Sequence, residues 1–171
     1  MSETIVNKVA QSQLQTFDLE KFYVPGDRAI FDLKECLFEG LILKEKDFRA
    51  FINDHDWSAF SGKHVAVTCS ADAIVPTWAY MLIATTLQPF AQTVFFGSLQ
   101  ELEKHLFFRS LNRVDWSAYT NAKVVIKGCS NVLVPVSAYV EVASQLRAVA
   151  SSVMYGEPCS TVPLFKRRPA Q

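Results

Sequence analysis

Asp56-Trp57-Ser58-Ala59-Phe60, followed by Val75-Pro76-Thr77-Trp78-Ala79-Tyr80, returns later in the chain as Asp115-Trp116-Ser117-Ala118-Tyr119 and Val134-Pro135-Val136-Ser137-Ala138-Tyr139. The step from tryptophan to proline is the same in both, so the chain carries an internal duplication, over about residues 45–90 and 98–150. Between the two landmarks of each copy lies an apolar, β-branched run, Val65-Ala66-Val67-Thr68-Cys69 or Lys123-Val124-Val125-Ile126-Lys127-Gly128. Runs of this kind are apolar on both faces and fit interior strands covered on both sides. Each is followed by a short loop and a Val-Pro pair, and proline is tolerated best in the first turn of a helix. The duplicated unit is therefore strand, loop, helix.

Working outward, Thr93-Val94-Phe95-Phe96-Gly97 reads as a further strand, and Ser98 with Glu101 three residues on forms a capping box for a helix from Leu99 to Ser110. The helix begun at Pro76 is expected to run to about Gln88, and the one begun at Pro135 to about Met154 with Gly156 closing it. Upstream, Phe48, Phe51 and Ile52 have the spacing of one helical face ending near His55. Pro25-Gly26-Asp27 is a turn signal before the strand-like stretches Ala29 to Leu33 and Leu41 to Leu43. Residues 1 to about 25 read as a short helix and an extended arm, and 156–171 as an extended tail. Strand–helix alternation predicts an α/β fold, a single domain over 1–171 with a parallel or mixed β-sheet flanked by helices. Right-handed crossovers would bring the carboxyl ends of the strands to one edge.

Composition narrows the function classes. The 171 residues are 50% hydrophobic and 20% charged, with Lys+Arg and Asp+Glu both numbering 17. Such a balance leaves no electrostatic footprint for nucleic acid or an anionic membrane. The acidic, polar start Met1-Ser2-Glu3-Thr4 is the wrong chemistry for a signal peptide, and the apolar stretch from Ala79 to Leu87 is far short of the roughly 20 residues of a membrane span. A cytoplasmic protein is expected. Its four cysteines should then be reduced.

Three of those cysteines share a local grammar: Cys69-Ser70, Cys129-Ser130 and Cys159-Ser160 each precede a Val-Pro pair. Cys69 and Cys129 fall where ligands bind in open α/β sheets, outside the carboxyl ends of strands and beside helix N-termini. Cys159 follows Gly156-Glu157-Pro158 and could fold back over the same edge. Three thiols within reach would make a soft-metal site for zinc or an iron–sulfur species, with Asp72, His55 or His64 as a fourth ligand. There is no C-x-x-C pair, so such a site depends on tertiary convergence; the competing reading is that Cys69 and Cys129 are small buried hydrophobes. In a gapless overlay Cys69 meets Gly128 and Ser70 meets Cys129, an offset that a bulge or left-handed glycine at 128 would have to absorb. His55 lies between Asp54 and Asp56, a base flanked by carboxylates, and Glu157 stands near Cys159 for proton transfer. No G-x-G-x-x-G, Walker loop or G-x-S-x-G occurs.

Ile42-Leu43-Lys44-Glu45-Lys46-Asp47-Phe48-Arg49, His55-Asp56-Trp57, the Cys69 to Tyr80 stretch, Lys127-Gly128-Cys129 and Tyr155 to Leu164 together resemble an uncharacterised bacterial family, domain of unknown function 2480. The resemblance spans nearly the whole chain and implies no reaction. Three expectations remain open. The first is a metal or thiol site at Cys69, Cys129, Cys159 and Asp72, with an accessory role in metal or iron–sulfur handling. The second is a non-catalytic interaction domain, a homodimer or a binder of a protein partner, whose cysteines merely pack. The third is a cysteine-dependent enzyme with His55 or His64 as base.

Overall fold

The computed structural model describes residues 14–128, 131–157 and 159–168. These form two compact units: unit 1 comprises the N-terminal segment to Val24 together with Leu106 onward, and unit 2 is Pro25–His105. The α/β class with parallel and mixed strand pairing holds. The strands, however, are divided over two sheets rather than gathered in one.

Unit 2 contains β2 (Arg28–Asp32), α1 (Glu45–Asp54), β3 (His64–Thr68), α2 (Thr77–Leu87) and β4 (Thr93–Phe96). Its sheet has the order β2-β3-β4, parallel throughout, with Asp32 opposite Thr68 and His64 opposite Thr93. Unit 1 contains β1 (Leu14–Asp18), β5 (Lys123–Lys127), α4 (Val136–Val149), β6 (Ser152–Glu157) and β7 (Ser160–Lys166). Here the order is β1-β5-β6-β7, with β7 antiparallel to β6. Helix α3 (Leu99–Leu111) runs from unit 2 into unit 1. It opens with the expected capping box, Ser98 N–H donating to Glu101 Oε2 at 2.8 Å and Glu101 N–H to Ser98 Oγ at 3.2 Å.

The two sheets share one register. Leu14 faces Lys123 as Arg28 faces His64, and Lys123 faces Ser152 as His64 faces Thr93. The duplication thus reaches further upstream than the tryptophans. Phe17-Asp18-Leu19 at the end of β1 matches Phe31-Asp32-Leu33 at the end of β2, and each aspartate caps a 3₁₀ turn by accepting from the backbone N–H two residues on. Asp56 and Asp115 cap the Trp57–Phe60 and Trp116–Tyr119 turns in the same manner. Short acceptors such as aspartate satisfy the amides that a helical turn leaves unpaired at its start.

The cores are correspondingly alike. In unit 2, Phe31, Val65 and Val67 pack on Ala79, Ile83 and Leu87 of α2. In unit 1, Phe17, Val124 and Ile126 pack on Ala138, Val142 and Leu146 of α4. The central strands are buried on both faces, as the unbroken apolar runs required: Val65, Ala66, Val124 and Val125 are fully covered.

Two expectations are sharpened and two change. Residues 14–18 are the extended strand β1 and Leu19–Phe22 a 3₁₀ helix, while residues 1–13 lie outside the described residues. Leu41–Leu43 does not form a strand but only bridges, Ile42 pairing singly with Phe38 and Ile74. The last helix stops at Val149, and Val153 to Gly156 belong to β6, because pairing with β5 on one side and β7 on the other, with Val153 buried in the core, outweighs one more helical turn. The C-terminal segment from residue 156 is extended as expected, its described residues to Lys166 lying in the paired hairpin of β6 and β7.

Gly156 occupies this hairpin at φ 119°, and a Cβ there would meet the Ser160 carbonyl oxygen at 2.6 Å. Both the left-handed backbone and the close approach demand glycine. Gly156→Ala is expected to cost about 1–3 kcal/mol of unfolding free energy in urea denaturation; an unchanged midpoint would refute this account of the hairpin.

Candidate functional site

The parallel pairing sends the carboxyl ends of β2, β3 and β4 to one edge of unit 2, and those of β1, β5 and β6 to one edge of unit 1. At the unit 2 edge, Asp32 is tied to the loop after β3: Ser70 donates from its N–H at 3.0 Å and from its hydroxyl at 2.6 Å. Cys69 is half-buried with its thiol 3.8 Å from the Ala71 carbonyl. Tyr80 meets Phe96 edge to face at 5.0 Å, and burial, with Cys69 and Asp32 nearby, pushes its phenol upward. Burial, reinforced by Glu35, Asp32 and Cys69, pushes the Cys36 thiol up to about 11. At neutral pH that thiol stays protonated, so it is neither a nucleophile nor a ready ligand.

At the unit 1 edge the side chains differ. Asp18, Lys127 and Glu157 close the three parallel strands, and with Thr16 and Lys21 they line a cleft of about 290 Å³. Lys127 Nζ stands 3.7 Å from Asp18 Oδ2. Beyond β5, Asn131 is held by a different acid, donating to Glu20 from its N–H at 2.9 Å and its side-chain amide at 3.0 Å. Tyr139 meets Tyr155 edge to face at 5.8 Å, repeating the Tyr80–Phe96 contact. Gly128 has no positive φ; a Cβ there would meet the Tyr139 hydroxyl at 2.8 Å and Leu19 Cβ at 3.2 Å. The glycine serves close approach rather than a left-handed turn.

The described members of the predicted site belong to both units. Cys129 lies outside the described residues. Cys159 is exposed in the β6–β7 turn, beyond Glu157 at the unit 1 edge, whereas Cys69 and Ser70 belong to unit 2. His64 begins β3, so the five residues of that strand place it roughly 15 Å from Cys69. It is buried, its Nδ1 3.1 Å from the Thr93 hydroxyl and its Nε2 3.0 Å from the Pro25 carbonyl, so the ring bridges two chain segments. His55 sits among Phe31, Phe51, Trp57 and Phe60, with ring centroids 4.6 to 6.3 Å away. Its neighbour Asp56 is committed to Ser58, whose hydroxyl and amide hold the carboxyl below the usual range. Asp72 is exposed. Among the described residues no three histidine, cysteine or acidic side chains converge in a way that could hold a metal ion.

A second feature of unit 2 lies on its helices. A groove of about 350 Å³ runs between α1 and α2, lined by Glu45, Arg49, Trp78, Met81, Leu82 and Thr85. Arg49 pairs with Glu45 at 2.9 Å and lies 5.7 Å from the centre of the Trp78 ring. Sequence reasoning passed over this groove and over the unit 1 cleft. The signals were present: α2 contains no charged residue, and the Phe-Asp-Leu repeat marks both strand ends.

A family model of proteins of unknown function, DUF2480, matches residues 3–167. The chain belongs to the DUF2480 family. No curated protein matches it, and no solved structure does. Among the described residues no helix is long and apolar enough to cross a membrane.

One titration tests the loop anchor of unit 2. Burial acts to raise the Asp32 pKa, but the Ser70 hydroxyl, the Lys34 and Ser70 amides and the Lys34 charge outweigh it and hold the carboxyl below its ordinary 3.8. A depressed folded-state value means that these bonds stabilise the fold above the unfolded pKa, and that this contribution is lost as pH falls through the folded value. Ser70→Ala should move the Asp32 titration upward, read by carboxyl-carbon NMR. A titration that stays in place would show that Ser70 does not set it.

Proposed function

We propose that this DUF2480 protein is a non-catalytic interaction protein that pairs with a second copy of itself through the α1–α2 face of unit 2. The observation that carries this reading is α2. Only Ala79, Ile83 and Leu87 are buried along one stripe, yet none of the helix's residues is charged, and Met81 on the outward face is 64% exposed. An outward helix face that is uncharged and carries an exposed large apolar side chain is suited to cover by another surface. The groove beside it offers Trp78, Met81 and Arg49, the residue types that dominate interface energetics. A two-fold interface sets one patch against itself, so the patch must be self-complementary. An uncharged helix flanked by one acid and one base, Glu45 and Arg49, meets that condition, since each can pair with its opposite on the other copy. Sedimentation velocity over a range of concentrations should show a monomer–dimer equilibrium, and Met81→Glu should weaken it by about thirtyfold or more while Asn112→Glu leaves it intact. A chain that stays monomeric throughout defeats the reading.

A metal or thiol site is the second reading. Its support is that Cys159 lies just beyond the carboxyl end of β6, and that the adjacent parallel strand β5 ends two residues before Cys129 in sequence. Zinc or an iron–sulfur species held by these thiols with Glu157 would suit a role in metal handling. Protein purified without oxygen or chelator should then carry stoichiometric metal that Cys129→Ser and Cys159→Ser both lose; metal-free wild-type protein rejects it.

A further inference from the structure

The strand pairings of the two sheets correspond residue for residue, so each position at the unit 1 edge has a counterpart at the unit 2 edge. Thr16, Asp18 and Lys21 correspond to Ile30, Asp32 and Glu35; Lys127 and Glu157 correspond to Thr68 and Ser98. The conserved element is the aspartate alone. Both cations of the unit 1 cleft are without counterpart, and so is the acid that faces them from β6.

The bonding differs in the same direction. In unit 2 the aspartate holds the loop through Ser70, and Ser98 is engaged with Glu101 in the capping box. In unit 1 Asn131 is held by Glu20 instead, which releases Asp18 from that duty. Asp18 keeps one bond, accepting from the Glu20 N–H at 3.2 Å, and turns its other oxygen toward Lys127. At 3.7 Å that ion pair is too long for a hydrogen bond. The pair is partly covered, with side-chain exposures of 34% for Lys127 and 19% for Asp18. Among the described residues, the side chains of Thr16, Lys21 and Glu157 make no hydrogen bond or ion pair. A packing role asks the same of both edges, whereas this edge collects two ammonium groups, two carboxylates and a hydroxyl around open volume and leaves most of their bonding capacity unspent.

We infer that the unit 1 cleft binds a small zwitterion, a molecule of the amino acid or dipeptide class. Its carboxylate is taken by Lys127 and Lys21 and its ammonium group by Asp18 and Glu157. The site lies outside the carboxyl ends of parallel strands, where ligands of α/β sheets gather. Lys21 and Glu157 are exposed, whereas the partial burial of Asp18 and Lys127 strengthens the charge-assisted bonds these two would make relative to bulk water. A volume of about 290 Å³ admits a ligand of this size.

The test is calorimetric titration of the full chain with glutamate, lysine and glycylglycine, beside acetate, inorganic phosphate and methylammonium as single-charge probes, at low salt. At least one zwitterion should bind saturably and more tightly than every single-charge probe. Lys127→Gln and Glu157→Gln should each lower that affinity by about tenfold or more, with Lys34→Gln unchanged. Circular dichroism would establish that the variants are folded, and the conservative amide keeps the side-chain length. Three results overturn the inference: no zwitterion binding at millimolar concentration, phosphate or acetate binding as well as any zwitterion, or affinity indifferent to both substitutions. Dimerisation through the α1–α2 face is read by sedimentation, so either idea can fail without the other.

Discussion

The parallel pairing of β1 with β5 is the contact on which unit 1 depends. Leu14–Asp18 lies beside Lys123–Lys127, although the whole of Pro25–His105 intervenes in the chain. Such a pairing closes a long loop, and its entropy cost is recovered only when the apolar side chains on both strands find a common core. Phe17 supplies the largest of them. It is fully buried and stacks against Phe22 and Trp116, at 5.0 and 5.4 Å between ring centres. The β2–β3 pair of unit 2 has the same register with a far shorter connection, so the same strand chemistry serves a local and a distant closure.

From this pairing follows the arrangement of polar groups at the strand ends. Each Phe-Asp-Leu sequence buries phenylalanine and leucine and leaves the intervening aspartate at the carboxyl edge, as alternation in a strand requires. One acid per edge is thereby fixed by packing. What that acid does is set by the next loop: Ser70 occupies Asp32, while Asn131 turns to Glu20 and leaves Asp18 beside Lys127. Duplication followed by a change of loop anchor is enough to convert a structural carboxylate into a lining group of a cleft.

The exposed apolar residues follow the duplication too. Ile74 and Leu133 are 92% and 86% exposed at equivalent positions after β3 and β5, and Met81 and Val140 face outward on equivalent helices. The units part company around those helices. Unit 2 places α1 beside α2 and forms a groove with Arg49 and Trp78, whereas α4 carries Glu141 and Arg147 among its own residues. The absence of charge from α2 is thus a property of one copy, which is why that face is the one assigned to association.

The sequence by itself determined the elements whose signals are local. The Trp-to-Pro spacing gave the duplicated strand–loop–helix, the apolar runs gave the interior strands, and Ser98 with Glu101 gave the start of α3, because strand alternation and helix capping are decided within a few residues. It misjudged the end of the last helix, where Ala150 to Gly156 can satisfy either period and only the neighbouring β5 and β7 select the strand. The roles of His55 and His64 were equally out of reach, since the aromatic rings around one and the Thr93 and Pro25 partners of the other come from distant segments. Tertiary structure alone decided that the strands form two sheets, that Cys69 and Cys159 belong to different units, and that Asp18, Lys127 and Glu157 share a cleft. Those outcomes rest on pairings between residues far apart in the chain, for which no local propensity exists.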